Sequence, residues 1–123
     1  MSAHARKPLV SLVVPFHDED EAIDAFFAAT LPILESVESV RFEIVCINDG
    51  SRDGTLDKLI DVAAADTRVR IVDLTRRFGK EAALTAGIDE AAGSAVILID
   101  ADLQDPPALI PAMLERWHAG AEV

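Results

Sequence analysis

The chain has 123 residues, half of them hydrophobic, enough for one compact domain with a continuous core but not for two. Twenty-two acidic residues against eleven basic ones leave a net charge of −11, which excludes a broad electrostatic attraction to nucleic acid or anionic lipid. Any phosphate must therefore be held locally. Clustered carboxylates tolerate an anion when a divalent cation lies between them, so an acidic protein that handles phosphate points to Mg²⁺ or Mn²⁺.

Residues 1–8 read as a polar, basic tail in which no signal peptide is expected, and the apolar run after it stops at Pro15. No window approaches the roughly 18 uninterrupted apolar residues of a membrane span. The chain as it stands is expected to be soluble and cytoplasmic. Residues 9–14 read as a strand buried on both faces, ended by Pro15. From Asp20, the apolar residues Ile23, Phe26, Phe27, Leu31 and Leu34 recur at helical spacing, with a kink or break expected at Pro32. Residues 42–47 are a second solid apolar run. This run contains the only cysteine, Cys46, which excludes an internal disulfide and reads as a small core hydrophobe.

The turn-rich residues 48–54 follow, and then Leu56, Leu59, Ile60 and Ala63 at helical spacing. Residues 69–74 form a third strand. Residues 80–92 form a third helix with Ala83, Leu84, Gly87, Ile88 and Ala91 on one face and Gly93 as its C-cap. Residues 95–99 form a fourth buried strand, and Leu109, Ile110, Met113, Leu114 and Trp117 mark a last helix. Trp117 continues the apolar face of that helix and reads as a core or edge contact, and His4 and His118 read as surface residues. Apolar strands alternating with helices define the α/β class, a mainly parallel sheet with helices on both faces. The chain stops at 120–123, where another strand could begin, and is expected to be part of a longer polypeptide. Its unfinished sheet edge makes a homo-oligomer an option.

Ligands of open parallel sheets bind outside the carboxyl ends of the strands. There the sequence places Pro15, Phe16, His17, Asp18 and Glu19 after the first strand and Asn48 to Thr55 after the second. Arg76, Arg77 and Lys80 follow the third strand, and Asp100, Ala101, Asp102, Leu103, Gln104 and Asp105 the fourth. Two acidic loops and one basic loop on a single edge suit a nucleotide diphosphate with a cation. Asp100 and Asp102, alternate residues leaving a strand, can aim two carboxylates at one ion, and Gln104 adds a neutral oxygen. The alternative is an acidic helix N-terminus capped by Asp105. The turn Asp49-Gly50-Ser51-Arg52-Asp53-Gly54 can equally be an ordinary strand-to-helix turn. Neither a G-x-G-x-x-G fingerprint nor a P-loop is present.

Four blocks together, Val13-Val14-Pro15-Phe16-His17-Asp18-Glu19, Asn48-Asp49-Gly50-Ser51-Arg52-Asp53-Gly54-Thr55, Phe78-Gly79-Lys80-Glu81-Ala82-Ala83-Leu84 and Asp100-Ala101-Asp102-Leu103-Gln104-Asp105-Pro106-Pro107, resemble family 2 glycosyltransferases. Within them the chain is similar to the polyprenyl-phosphate branch, with its dolichol-phosphate mannose synthases and bactoprenol glucosyltransferases. The resemblance spans nearly the whole chain in order. It implies a Rossmann-like GT-A nucleotide-sugar-binding domain over residues 9–123. The implied reaction is a metal-dependent, inverting transfer of a sugar from a UDP- or GDP-sugar to polyprenyl phosphate.

The resemblance also implies roles. Asp100 and Asp102 are the catalytic pair, with Asp100 facing the ribose or diphosphate, and Asp102 with Gln104 holds Mg²⁺ or Mn²⁺. Asp49 contacts the donor base, and Pro15, His17 and Glu19 line the base and ribose pocket. Phe16, Asn48, Lys80 and Ala101 complete the donor set. The sequence departs from the family's usual pattern at Asp18 (usually Asn), Asn48 (usually Asp) and Thr75-Arg76-Arg77 (usually Ser-Arg-Asn), so the resemblance speaks to donor class more than donor identity. Acceptor residues and membrane helices are expected beyond position 123, with the catalytic domain on the cytoplasmic side. This chain alone is expected to bind donor and transfer poorly. The alternatives are a non-catalytic α/β interaction domain whose acidic loops are solvated turns, or a family 2 transferase with a saccharide acceptor.

Overall fold

A computed structural model describes residues 7–104 and 106–118. Residues 1–6 of the tail, His4 among them, as well as Asp105 and residues 119–123, lie outside the described residues. Four strands, β1 (Leu9–Phe16), β2 (Arg41–Asp49), β3 (Val69–Leu74) and β4 (Ala95–Leu98), alternate with α1 (Asp20–Ser36), α2 (Thr55–Ala65), α3 (Lys80–Glu90) and α4 (Leu109–His118). The strands form one sheet in the order β3-β2-β1-β4, and every pairing is parallel. The α/β expectation therefore holds. Chain order runs from β1 outward to β3 and then jumps back across β1 to β4. This makes the crevice between β1 and β4 the topological switch point, where such sheets bind ligands.

Alternation along β1 sorts the core into two layers. Val10, Leu12, Val14 and Phe16 pack in the cluster that holds Ile23, Phe26, Phe27 and Leu34 of α1, Leu59 of α2, and Ile110 and Leu114 of α4. Val13, with Val45 and Ile47 of β2, faces Ala83 of α3 on the opposite side. Helices thus cover both faces. Fully buried side chains such as Leu59 and Phe26 each contribute about 2 kcal/mol of apolar transfer. Trp117 packs against the larger cluster, as its place on the apolar face predicts.

Several local expectations need correction. Strand β1 does not stop at Pro15 but runs through it, paired with β2 as far as Phe16↔Asn48. Proline is tolerated because the carbonyls of Leu9 and Val13 accept from Ser94 and Ile99. By alternation the nitrogen of Pro15 also faces the β4 side, where pairing has already ended at Val13↔Leu98. Pro15 in turn withholds the N–H that would carry this ladder further.

Pro32 does not break α1, which continues to Ser36 and buries Leu34. The carbonyl freed by the proline belongs to Ala28 on the exposed face, where water can satisfy it. Helix α3 ends at Glu90, and Gly93 is not its C-cap, a position taken by extended Ala91. Gly93 instead gives the chain room to pass β1: a Cβ there would lie 2.6 Å from Ser11 Oγ, 2.7 Å from Ser11 N and 2.8 Å from the Leu9 carbonyl. Ile60, Ile88 and Leu109, placed on apolar faces by their spacing, are nearly half exposed.

At the end of the sheet away from the switch point, Glu43 is buried on β2. Ser11 Oγ donates to it at 2.5 Å, the Ala92 N–H at 2.7 Å and Arg70 at 2.9 Å. Burial alone would raise the Glu43 pKa, but these three donors outweigh it and hold the carboxyl below its ordinary value. Cys46 is a free, fully buried thiol whose pKa burial pushes up, as a core hydrophobe requires. No described helix is long and apolar enough to cross a membrane.

Candidate functional site

The loops after β1 and β2 are stitched together by side chains taking up backbone groups that the strands and helices leave unpaired. Asp18, at φ 49°, donates its N–H to Ser51 Oγ and accepts the Arg52 N–H at 2.7 Å. The Glu19 N–H donates to Thr55 Oγ1 at 2.8 Å, and Asp20 accepts the Gly54 N–H at 3.2 Å. Asp53, one residue before the Gly54 N-cap of α2, accepts the otherwise free Thr55 N–H at 2.9 Å. The turn residues thus form the expected strand-to-helix turn and also a rigid rim.

Asp49 ends β2 almost fully buried. Its two carboxylate oxygens accept the N–H groups of Phe78 at 2.7 Å and Gly79 at 3.1 Å, at the start of α3. His17 Nδ1–H donates to the Asp49 carbonyl at 2.7 Å, leaving Nε2 3.3 Å from Asp18. Lys80, the first residue of α3, reaches Asp100 Oδ1 at 2.6 Å and so bridges to the segment leaving β4. In that segment Ile99 and Ala101 are buried, while Asp100 is part-exposed and Asp102 exposed. Gln104 donates its N–H to Asp102 Oδ1 at 3.2 Å, and Leu103 takes φ 63° to make the turn.

A cavity of about 230 Å³ opens at the switch point, lined by Pro15, Phe16, His17, Glu19, Asp49, Arg77, Lys80, Asp100, Ala101, Asp102 and Gln104. Ten of the eleven residues singled out from the sequence meet there. Asn48 does not: it lies on a neighbouring cavity with Gly50, Arg52 and Asp73. Its Nδ2 donates to Asp73 at 2.9 Å, while its buried Oδ1 has no partner among the described residues. Successive strand residues face opposite sides of a sheet, and Asn48 turns to its register partner Asp73 on β3 while Asp49 turns to the cavity. Arg77 belongs to the basic loop but was not placed in the donor set. It walls both cavities, and the signal for it was its position two residues before Gly79, at the entry to α3.

The field in the cavity is set by its carboxylates. Glu19 has a raised pKa, chiefly from burial and further from the charges of Asp102 and Asp100, against a lowering hydrogen bond from the His17 N–H. Three acids that repel one another are a setting that a cation relieves. No group of three or more acidic, histidine or cysteine side chains close enough to hold a metal occurs among the described residues. The residues fit a hard cation held by one or two protein oxygens, with phosphate and water filling the remaining positions.

With this geometry in place, comparison with known proteins gives the class. Residues 11–123 match glycosyl transferase family 2. The chain belongs to that family, and its fold is of the GT-A type. It is 48% identical over 114 residues to a prophage bactoprenol glucosyl transferase homolog of Escherichia coli, a match covering 93% of this chain and 37% of that protein. An uncharacterised glycosyltransferase of Synechocystis is 46% identical over 114 residues, covering 93% and 36%. Among solved structures, a mannosyltransferase from Pyrobaculum calidifontis in complex with GDP-Man and Mn²⁺ superposes with a TM-score of 0.72 at 27% identity, over 92% of this chain and 33% of that one. The chain thus spans little more than a third of the length of these curated relatives.

Proposed function

We propose that the cavity binds a nucleotide diphosphate sugar with Mg²⁺ or Mn²⁺, and that the intact protein transfers the sugar to a polyprenyl phosphate. The observation that carries this reading is the meeting of Glu19, Asp100 and Asp102 with Arg77 and Lys80 in one cavity at the switch point. A diphosphate needs cationic donors, and Lys80 and Arg77 offer charge-assisted hydrogen bonds to its oxygens. Asp102, with the side-chain oxygen of Gln104, would hold the cation, and Asp100 would face the ribose or diphosphate. When bound, the cation supplies neutralisation of the charge that grows on the departing diphosphate. Pro15, His17 and Glu19, with Phe16 buried behind them, form the wall against which base and ribose would lie, and Ala101 leaves room between the two carboxylates.

A polyprenyl phosphate is anionic at neutral pH and can attack without a general base. Attack from the face opposite the leaving diphosphate inverts the anomeric carbon. The bactoprenol transferase homolog supports this acceptor class, and the mannosyltransferase complex supports the donor class and the cation. A lipid acceptor puts the intact protein at a membrane surface, with the donor site on the cytoplasmic side.

Calorimetry of UDP-glucose and GDP-mannose with and without Mn²⁺ tests the reading, on the wild type and on Asp102→Ala. Binding that requires Mn²⁺ and is lost in the variant is the expected result. Binding that is indifferent both to Mn²⁺ and to the substitution would refute it.

A further inference from the structure

Two cavity cations, Arg77 and Lys80, flank the two residues whose amides Asp49 holds. The order Arg77-Phe78-Gly79-Lys80 places one cation on each side of the pair of N–H groups, 2.7 and 3.1 Å from the Asp49 carboxylate. Gly79, the N-cap of α3, sits at φ 101°, a conformation that glycine adopts without strain. The neighbouring residue enforces the same docking from the other side. Gly50, at φ 61°, lies so close to the passing loop that a Cβ would meet the Arg77 nitrogen at 2.2 Å and the Arg76 carbonyl carbon at 2.5 Å. The end of β2 thus grips the β3–α3 connection through one carboxylate and one absent side chain.

We infer that Asp49 is a positioning residue for a two-cation diphosphate clamp: by holding the Phe78 and Gly79 amides it sets where Arg77 and Lys80 enter the cavity, so part of its contribution to binding passes through the diphosphate. Each carboxylate oxygen accepts one of these backbone N–H groups, and the residue is 3% exposed. Asparagine cannot replace it, because its amide would present an N–H to one of the two N–H groups. The inference rests on the proposed diphosphate site.

The experiment measures Mn²⁺-dependent binding of two probes, UDP and inorganic pyrophosphate, the second having neither base nor ribose, to the intact protein. Asp49→Asn is expected to weaken both, pyrophosphate by roughly tenfold for charge-assisted contacts displaced from their targets. Lys80→Met should weaken both as well, and the double variant should lose less than the product of the single losses. Gly50→Ala, which keeps the carboxylate but pushes the loop away, should reproduce the loss of pyrophosphate binding and serves if Asp49→Asn does not fold. Weakened UDP binding with unchanged pyrophosphate binding in Asp49→Asn, or no weakening of either probe, overturns the inference. A wild-type protein that binds neither probe overturns the diphosphate site itself.

Discussion

Lys80 Nζ lies 2.6 Å from Asp100 Oδ1 and joins the first turn of α3 to the segment that leaves β4. Both ends face solvent in part, the lysine being 60% and the aspartate 27% exposed. Ion pairs of this exposure contribute about 0–1 kcal/mol to folding. Asp100→Asn is therefore expected to leave the urea midpoint almost unchanged while weakening Mn²⁺-dependent nucleotide binding. A large loss of stability in that variant would show that the pair is structural.

Glu43 makes a stability prediction with a definite pH direction. Its carboxyl is held below its ordinary value of 4.5, so the unfolded chain takes up its proton first as the solution is acidified. Stability from this group is fully present above pH 4.5 and drains away as pH falls through the lower folded value. Glu43→Gln should cost about 2 kcal/mol at neutral pH, because a buried carboxylate with three donors is replaced by a group that cannot accept from all of them. The variant should also flatten the acid side of the stability curve. Urea titrations at neutral pH and near pH 4 measure both effects.

Gly93 separates two explanations of one residue. A glycine used as a left-handed helix cap tolerates asparagine at little cost. A glycine used for close approach tolerates no Cβ, and here the obstructing atoms include the backbone of Leu9 and Ser11, which cannot swing aside. Gly93→Asn and Gly93→Ala should therefore both destabilise the chain by about 2 kcal/mol or more, through overpacking. A near-neutral Gly93→Asn in denaturant titration would restore the cap reading.

The order and type of all eight elements were readable because the strands are short, mainly apolar runs and the helices begin after turn residues. Patterns of that kind are local. The misreadings came where one residue's meaning depended on a distant partner. Pro15 looked like a terminator until the side on which its nitrogen falls was known, and Gly93 looked like a cap until Ser11 was seen beside it. Pro32 is tolerated because the carbonyl it frees faces water. At the site, the motif residues converge as the strand order demands, but two facts were hidden. Asn48 is turned from Asp49 by the pleat, and the Asp49 carboxylate spends both oxygens on α3's entry, 29 and 30 residues along the chain. The Ser11-Glu43-Arg70 cluster gave no sequence signal, since its members lie on three separate strands.

The early end of the β1–β4 ladder leaves the acidic segment in an unusual mechanical situation. Among the described residues, the last rung joins the Ile99 N–H to the Val13 carbonyl at 3.1 Å. Beyond it, Ala101 is held by side-chain packing in the core, and Asp100 and Asp102 alternate with Ile99 and Ala101 toward the cavity. Side-chain volume at positions 99 and 101 thus acts as a dial on carboxylate position, one that substitution can turn without unzipping the sheet. Pro15 marks where backbone pairing gives way to core packing alone as the hold on the acidic segment.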